Sequence, residues 1–146
     1  MSLQEPHLKM SKSHSDPRSR ILVTDRPEEI HQKVMSARTD SINSVSYDPE
    51  NRPGVSNLLH LLSHFDSHHR SPEDLGTVYS QLGLRDFKTT VFETISSRLE
   101  PIRKRYEEVM REDNGAYVDH VERKGAEKAR ESADATMAVV RDAVGL

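Results

Sequence analysis

Apolar residues recur along most of the chain at helical rather than strand spacing. Ile30, Val34 and Ala37 come after Pro27-Glu28-Glu29, and this predicts a short amphipathic helix over roughly 27–38. Proline suits the first turn there, and the two acids suit the positive end of the helix dipole. Val55, Leu58, Leu59, Leu62 and Phe65 mark a second helix. Ser71-Pro72-Glu73-Asp74 starts a third, with Ser71 as cap. Leu75, Val78, Tyr79 and Leu82 line that helix, and Gly83 is placed to end it. The longest periodic stretch is Phe87, Val91, Ile95, Leu99, Ile102, Tyr106 and Val109. Pro101 lies inside it and predicts a kink or a break.

Asn114-Gly115 reads as a turn, and Tyr117 to Lys124 as one more short helix closed by Gly125. Ala126, Ala129, Ala133, Met137, Val140 and Val144 define the inner face of a last helix, with Gly145 past its end. Small residues dominate that face, which predicts close packing on a neighbour. Residues 1–20 read as a polar loop punctuated by Pro6 and Pro17. Ile21-Leu22-Val23 reads as one short extended segment, and residues 39–54 as a turn-rich loop. The expected fold class is all-α, a helical bundle.

Composition narrows the function. The 146 residues are 34% hydrophobic and 31% charged, a lean mixture that suits helices packing through narrow apolar stripes. Cysteine is absent, so disulfides and thiolate metal sites are excluded. No apolar run approaches the ~18 residues of a membrane helix, and no membrane partner is expected. The first residues carry acid early and form neither a secretory signal nor an Arg-rich transit peptide. Net charge is −3 with His neutral, so nucleic-acid contact must come from local basic clusters; DNA is not an expected partner.

The most specific local signal is Lys9-Met10-Ser11-Lys12-Ser13. Two ammonium groups on a polar loop can track the oxygens of a triphosphate. The hydroxyls and successive backbone N–H groups can add hydrogen bonds to the same oxygens. Read without context, a Lys/Ser-rich segment is also an ordinary solvated tail. His60, His64 and His68 fall four apart, with Asp66 and His69 nearby, and could share an ion. A solvated polar face opposite Leu58, Leu62 and Phe65 is the reading preferred, and no metal site is expected. Arg98, Arg103, Lys104 and Arg105 form one basic cluster, and Arg123, Lys124, Lys128 and Arg130 another. Interleaved glutamates fit a solvated helix surface as well as an RNA contact. Tyr106 and Tyr117 are candidate stacking groups for RNA bases, with a core place the preferred reading for Tyr106.

Lys9–Ser13 is the second signature of class I aminoacyl-tRNA synthetases. The residues C-terminal to it resemble the tryptophanyl branch, of bacterial or mitochondrial type. The resemblance runs through Asp16-Pro17-Arg18-Ser19-Arg20-Ile21, Thr24-Asp25, Pro27-Glu28-Glu29-Ile30 and Thr39-Asp40-Ser41. It continues through Tyr47-Asp48-Pro49-Glu50, then Asn51-Arg52-Pro53-Gly54-Val55-Ser56-Asn57-Leu58-Leu59. Phe87-Lys88, Pro101-Ile102, Arg105-Tyr106 and Gly125-Ala126-Glu127-Lys128-Ala129-Arg130 complete it. The signature fixes the class, and the Asn51–Leu59 and Gly125–Arg130 blocks point away from the tyrosyl enzymes.

The resemblance implies a ligase that activates tryptophan with ATP and passes it to tRNA(Trp). Mg²⁺ is expected to arrive with the ATP rather than in a protein-built cage. On this reading Lys9, Met10, Ser11, Lys12 and Ser13 bind ATP, and Lys12 is catalytic. Arg103, Lys104, Arg105, Arg123 and Lys124 are the expected tRNA contacts. Residues 1–25 would be this loop with a remnant of a catalytic domain, and 26–146 a helical anticodon-binding domain. The family's other signature, a His-x-Gly-His motif, does not occur, nor does a Gly-rich βαβ pattern. The chain is therefore expected to be a fragment, inactive alone, that meets tryptophan only through a missing catalytic domain. The full-length family is a homodimer, and the expected compartment is the mitochondrial matrix or the cytoplasm. A stand-alone helical RNA- or protein-binding module without catalysis is the alternative.

Overall fold

A computed structural model describes residues 1–145, with Asp113 described by its backbone alone. Five α-helices succeed one another: α1 (Pro27–Met35), α2 (Pro53–Phe65), α3 (Pro72–Val78), α4 (Leu84–Arg111) and α5 (Ala116–Val144). Short 3-10 turns occupy Pro17–Ser19 and Glu112–Gly115. Among the described residues there is no strand, so the all-α expectation holds.

The chain divides into two compact units, Met1–Arg103 and the residues from Lys104 onward. The core of the first unit gathers one side of each of its helices. Ile30 and Val34 come from α1; Val55, Leu58, Leu59 and Leu62 from α2; Leu75 from α3; Phe87, Val91, Ile95 and Leu99 from α4. Leu3 joins the same core from the N-terminal loop. Four of these helices begin or nearly begin as read from sequence. In α3 the Ser71 hydroxyl accepts from the Asp74 N–H, and the Asp74 carboxylate accepts from the Ser71 N–H, a reciprocal cap. Gly54 is required by close approach, since a Cβ there would lie 2.1 Å from the carbonyl oxygen of Arg38. That contact seats the first turn of α2 directly on the 38–39 backbone.

Several expectations are corrected. Ile21-Leu22-Val23 is not a strand. The Leu22 N–H donates to the Asp25 carboxylate at 2.8 Å and the Asp25 N–H to the Leu22 carbonyl at 3.1 Å, so the segment closes into a turn. The third helix stops at Val78, before Gly83. Pro101 does not break α4. It lies on the exposed side, as does Ser97, so the carbonyl deprived of its i+4 donor faces water. Gly125 does not end a helix either. Open space surrounds its missing Cβ, and α5 runs through it, the propensity penalty of about 1 kcal/mol being spread over a long helix.

The second unit holds the end of α4, the 3-10 turn and α5. Asn114 and Gly115 both take positive φ, 55° and 90°, and form the turn before α5. The described residues of α5 include none that is buried. The close packing expected of its small-residue face is therefore not found. Tyr106, expected in a core, is 46% exposed. No helix among the described residues is long and apolar enough to cross a membrane.

Candidate functional site

The segment Lys9–Ser13 is an irregular loop with a turn at Lys12-Ser13, closed by the His14 N–H on the Ser11 carbonyl at 3.3 Å. Its side chains sort by chemistry. Met10 packs against the hydrophobic core, while Lys9 and Lys12 are exposed. The Ser11 and Ser13 hydroxyls lie 3.0 Å apart. One apolar side chain thus pins the middle of the loop, and both ammonium groups and both hydroxyls stay in reach of a ligand. The structure brings together all five residues read from the sequence.

Both ends of the loop are tied. Before it, the Ser2 N–H donates to the Leu8 carbonyl at 2.7 Å and the Leu3 N–H to the Ser19 carbonyl at 2.9 Å. After it, the Asp16 N–H donates to Nδ1 of His14 at 3.1 Å. That bond leaves the His14 proton on Nε2, which donates to the Glu5 carboxylate at 3.0 Å. The Arg20 guanidinium donates to the His14 carbonyl at 3.0 Å. A cavity of about 600 Å³ opens beside the loop base, lined by Pro6, His7, Leu8, Arg38, Asp40 and Gly54 among others.

Three buried polar residues that sequence reading gave no role tie this base to the helices. Asn57 of α2 donates through Nδ2 to the carbonyls of Met1 at 3.2 Å and Ser2 at 3.1 Å. Arg52, just before α2, forks onto both Asp40 oxygens at 2.9 Å. It also donates to Ser46 Oγ and the carbonyls of Ile42 and Ser44, which holds the 40–52 loop closed. The guanidinium beside Asp40 holds that carboxyl below its ordinary range. Lys33 of α1 meets the Asp25 carboxylate at 2.5 Å, with the two side chains 11% and 7% exposed. The signal for Arg52 and Asn57 was present in the Asn51–Leu59 block, but nothing in it separated a brace from a ligand contact.

The basic residues divide. Arg103 is turned inward, 8% exposed, and its guanidinium donates to the Asp25 carbonyl at 2.9 Å. It braces the chain segment after the loop. Lys104 and Arg105 are exposed, and Arg105 pairs with Glu108 at 3.1 Å. Arg123 and Lys124 line an open cleft of about 260 Å³ on α5 with His120 and Glu127. The histidines of α2 and the loop after it do not converge on one point: His60 Nε2 is hydrogen-bonded to the Tyr47 hydroxyl at 2.9 Å. Among the described residues no three His, Cys, Asp or Glu side chains are grouped to hold a metal.

Comparison with known proteins accords with this layout. Residues 1–100 match the family model described as tRNA synthetases class I (W and Y). A tryptophan–tRNA ligase of Bacillus anthracis is 39% identical over 146 residues, which is 100% of this chain and 43% of that protein. A mitochondrial tryptophan–tRNA ligase of Caenorhabditis elegans is 40% identical over 144 residues, 99% of this chain and 38% of that protein. The crystal structure of tryptophanyl-tRNA synthetase from Mycoplasma pneumoniae superposes with a TM-score of 0.75 at 29% identity, covering 100% of this chain and 43% of that one. The chain thus spans less than half the length of the relatives it matches. With an all-helical body and these matches along its length, the chain belongs to the class I tRNA synthetases, on their tryptophanyl branch.

Proposed function

We propose that these residues supply the phosphate-gripping loop and tRNA-binding helices of a tryptophan–tRNA ligase. The observation that carries the reading is the loop at Lys9–Ser13: core-anchored at Met10, tied at both ends, with Lys9 and Lys12 exposed. In tryptophan activation the carboxylate attacks the α-phosphorus of ATP, and negative charge grows on the departing pyrophosphate. A lysine at a turn tip is placed to meet charge that is largest in the transition state. Lys12 occupies that tip, so it takes the catalytic role; Lys9, earlier in the loop, steadies the ground-state phosphates. The flanking ties let such a loop close as one piece. ATP brings its own Mg²⁺, which bridges phosphate oxygens.

Lys104, Arg105, Arg123 and Lys124 are assigned to tRNA, as exposed cations on helices of a protein whose net charge is −3. Arg103 is withdrawn from that set because its guanidinium is committed to Asp25.

No His-x-Gly-His motif occurs in the sequence, and no strand of a nucleotide-binding sheet occurs among the described residues. Pyrophosphate exchange with tryptophan and ATP should therefore stay at background when the chain is assayed alone. Robust exchange by the purified chain would show that the residues for activation are complete within it and overturn this division of labour.

A further inference from the structure

On the first unit, away from the loop, an open cleft of about 350 Å³ lies where the α2–α3 connection faces the middle of α4. Its floor is built around Asp66. That carboxylate, 8% exposed, accepts the N–H groups of His68 at 3.1 Å and Arg70 at 3.0 Å. It also takes the Arg70 guanidinium through Nε at 3.1 Å and Nη2 at 2.6 Å. His69 has a positive φ of 54°, a left-handed backbone turn that lets the short loop fold over one carboxylate. Hydrogen bonds from Arg70 hold the Asp66 carboxyl far below its ordinary range, so it stays ionised and the loop keeps this shape. The Asp66 charge is thus consumed locally, while the rest of the Arg70 guanidinium has the Tyr79 hydroxyl beside it and no second carboxylate.

Across the cleft, α4 presents Thr94, Ser97 and Arg98. Arg98 is exposed and has no hydrogen-bond or ion-pair partner among the described residues. The Ser97 hydroxyl donates back to the Thr94 carbonyl at 3.0 Å, which leaves its lone pairs and the Thr94 hydroxyl to the cleft. A free guanidinium, a second one fixed in orientation, a hydroxyl donor and the His68 imidazole therefore surround one polar hollow. Among the described residues no unpaired carboxylate lines it. Planar guanidinium groups match the tetrahedral face of a phosphate, and a pre-oriented one loses little freedom on binding.

We propose that this cleft docks one backbone phosphate of an RNA, gripped by Arg98 and the remaining edge of Arg70, with Thr94 as hydroxyl donor. The proposal rests on the tRNA ligase reading and adds to it a contact separate from the four cations assigned above. The net charge of −3 makes such a contact count, since the protein has no general attraction for polyanions.

The test uses the whole chain and a tRNA stem-loop, with dissociation constants measured over a range of salt. Arg98→Gln should reduce the slope of log K against log salt by roughly 0.7–0.9, one phosphate's share, and weaken binding several-fold at low salt. Arg98→Lys should keep most of the slope. Arg85→Gln, on an exposed position of the same helix, should leave it unchanged. Arg98 has no partner to lose, and circular dichroism should report unaltered helicity in every variant. A slope unchanged by Arg98→Gln, or lowered equally by Arg85→Gln, overturns the site while leaving the ligase reading intact. Absence of RNA binding by the unmodified chain overturns both the site and the tRNA half of that reading. In an inorganic phosphate titration monitored by NMR, shifts at Thr94–Arg98 without any Arg98 effect on RNA would mean a free-anion site only, which also overturns the proposal.

Discussion

Lys12→Ala, in a protein where these residues are joined to a nucleotide-binding half, should slow tryptophan activation by about 10²–10³-fold, the scale of one lost transition-state charge contact. The turn at Lys12-Ser13 leaves that ammonium free to reach outward, whereas the neighbouring Met10 is engaged with the core. Lys9→Ala should slow activation less, since the role proposed for Lys9 is to steady phosphates already bound in the ground state. Pre-steady-state activation rates separate the two: Lys12→Ala should depress the chemical step with little change in ATP affinity, and Lys9→Ala should act more on affinity. Equal effects, or none, would sink the assignment of roles.

Lys33→Met should destabilise the first unit by about 3–5 kcal/mol, the range for removing one partner of a buried ion pair. Asp25 and Lys33 are both nearly enclosed, and water cannot take over as partner. The Asp25 carboxylate would keep the Leu22 N–H, at 2.8 Å, but lose its counter-charge. Asp25→Asn combined with Lys33→Met removes both charges and retains an acceptor for that N–H. The double variant should recover much of the loss, and urea unfolding of the singles and the double forms the cycle that measures it. A double variant as unstable as the sum of its singles would mean the pair is not coupled. The same pair orients the chain between the loop and α1, so local exchange of amides 20–25 should rise in Lys33→Met before global unfolding does.

Much of the fold could be read from apolar spacing, because a helix that packs on a core must show its stripe. Phe87, Val91, Ile95 and Leu99 did so, and each is buried. What misled was local punctuation. Pro101 and Gly125 both looked like boundaries, yet Pro101 and the Ser97 carbonyl it leaves without a donor lie on the exposed side of α4, and nothing crowds Gly125. Ile21-Leu22-Val23 had strand composition but no partner strand, and the Asp25 side chain captured its backbone instead. The last helix shows the converse failure. Its period was plain, but a period says that a face is apolar and not that anything covers it.

The site was legible where chemistry comes directly from residue type. Lys9–Ser13 was found as a motif, and its five residues lie together because they are consecutive. The braces were not legible. Arg103 looked like the basic residues beside it, and only a contact across 78 positions of chain, to the Asp25 carbonyl, distinguishes it. Arg52 and Asn57 sat inside a block that marked the family without revealing that they clamp loops. Arginine and asparagine are surface residues by default, so one that is buried and donates to backbone carbonyls is seen only in three dimensions.

Residues 1–146 are proposed to complete tryptophan activation by supplying the loop rather than by housing the whole reaction. The most direct measurement is pyrophosphate exchange by a fusion in which these residues replace the matching portion of the Bacillus anthracis tryptophan–tRNA ligase, compared with that protein lacking the portion. The fusion should show tryptophan-dependent exchange well above the truncated protein. A folded fusion that exchanges no faster than the truncated protein would contradict that role for the loop.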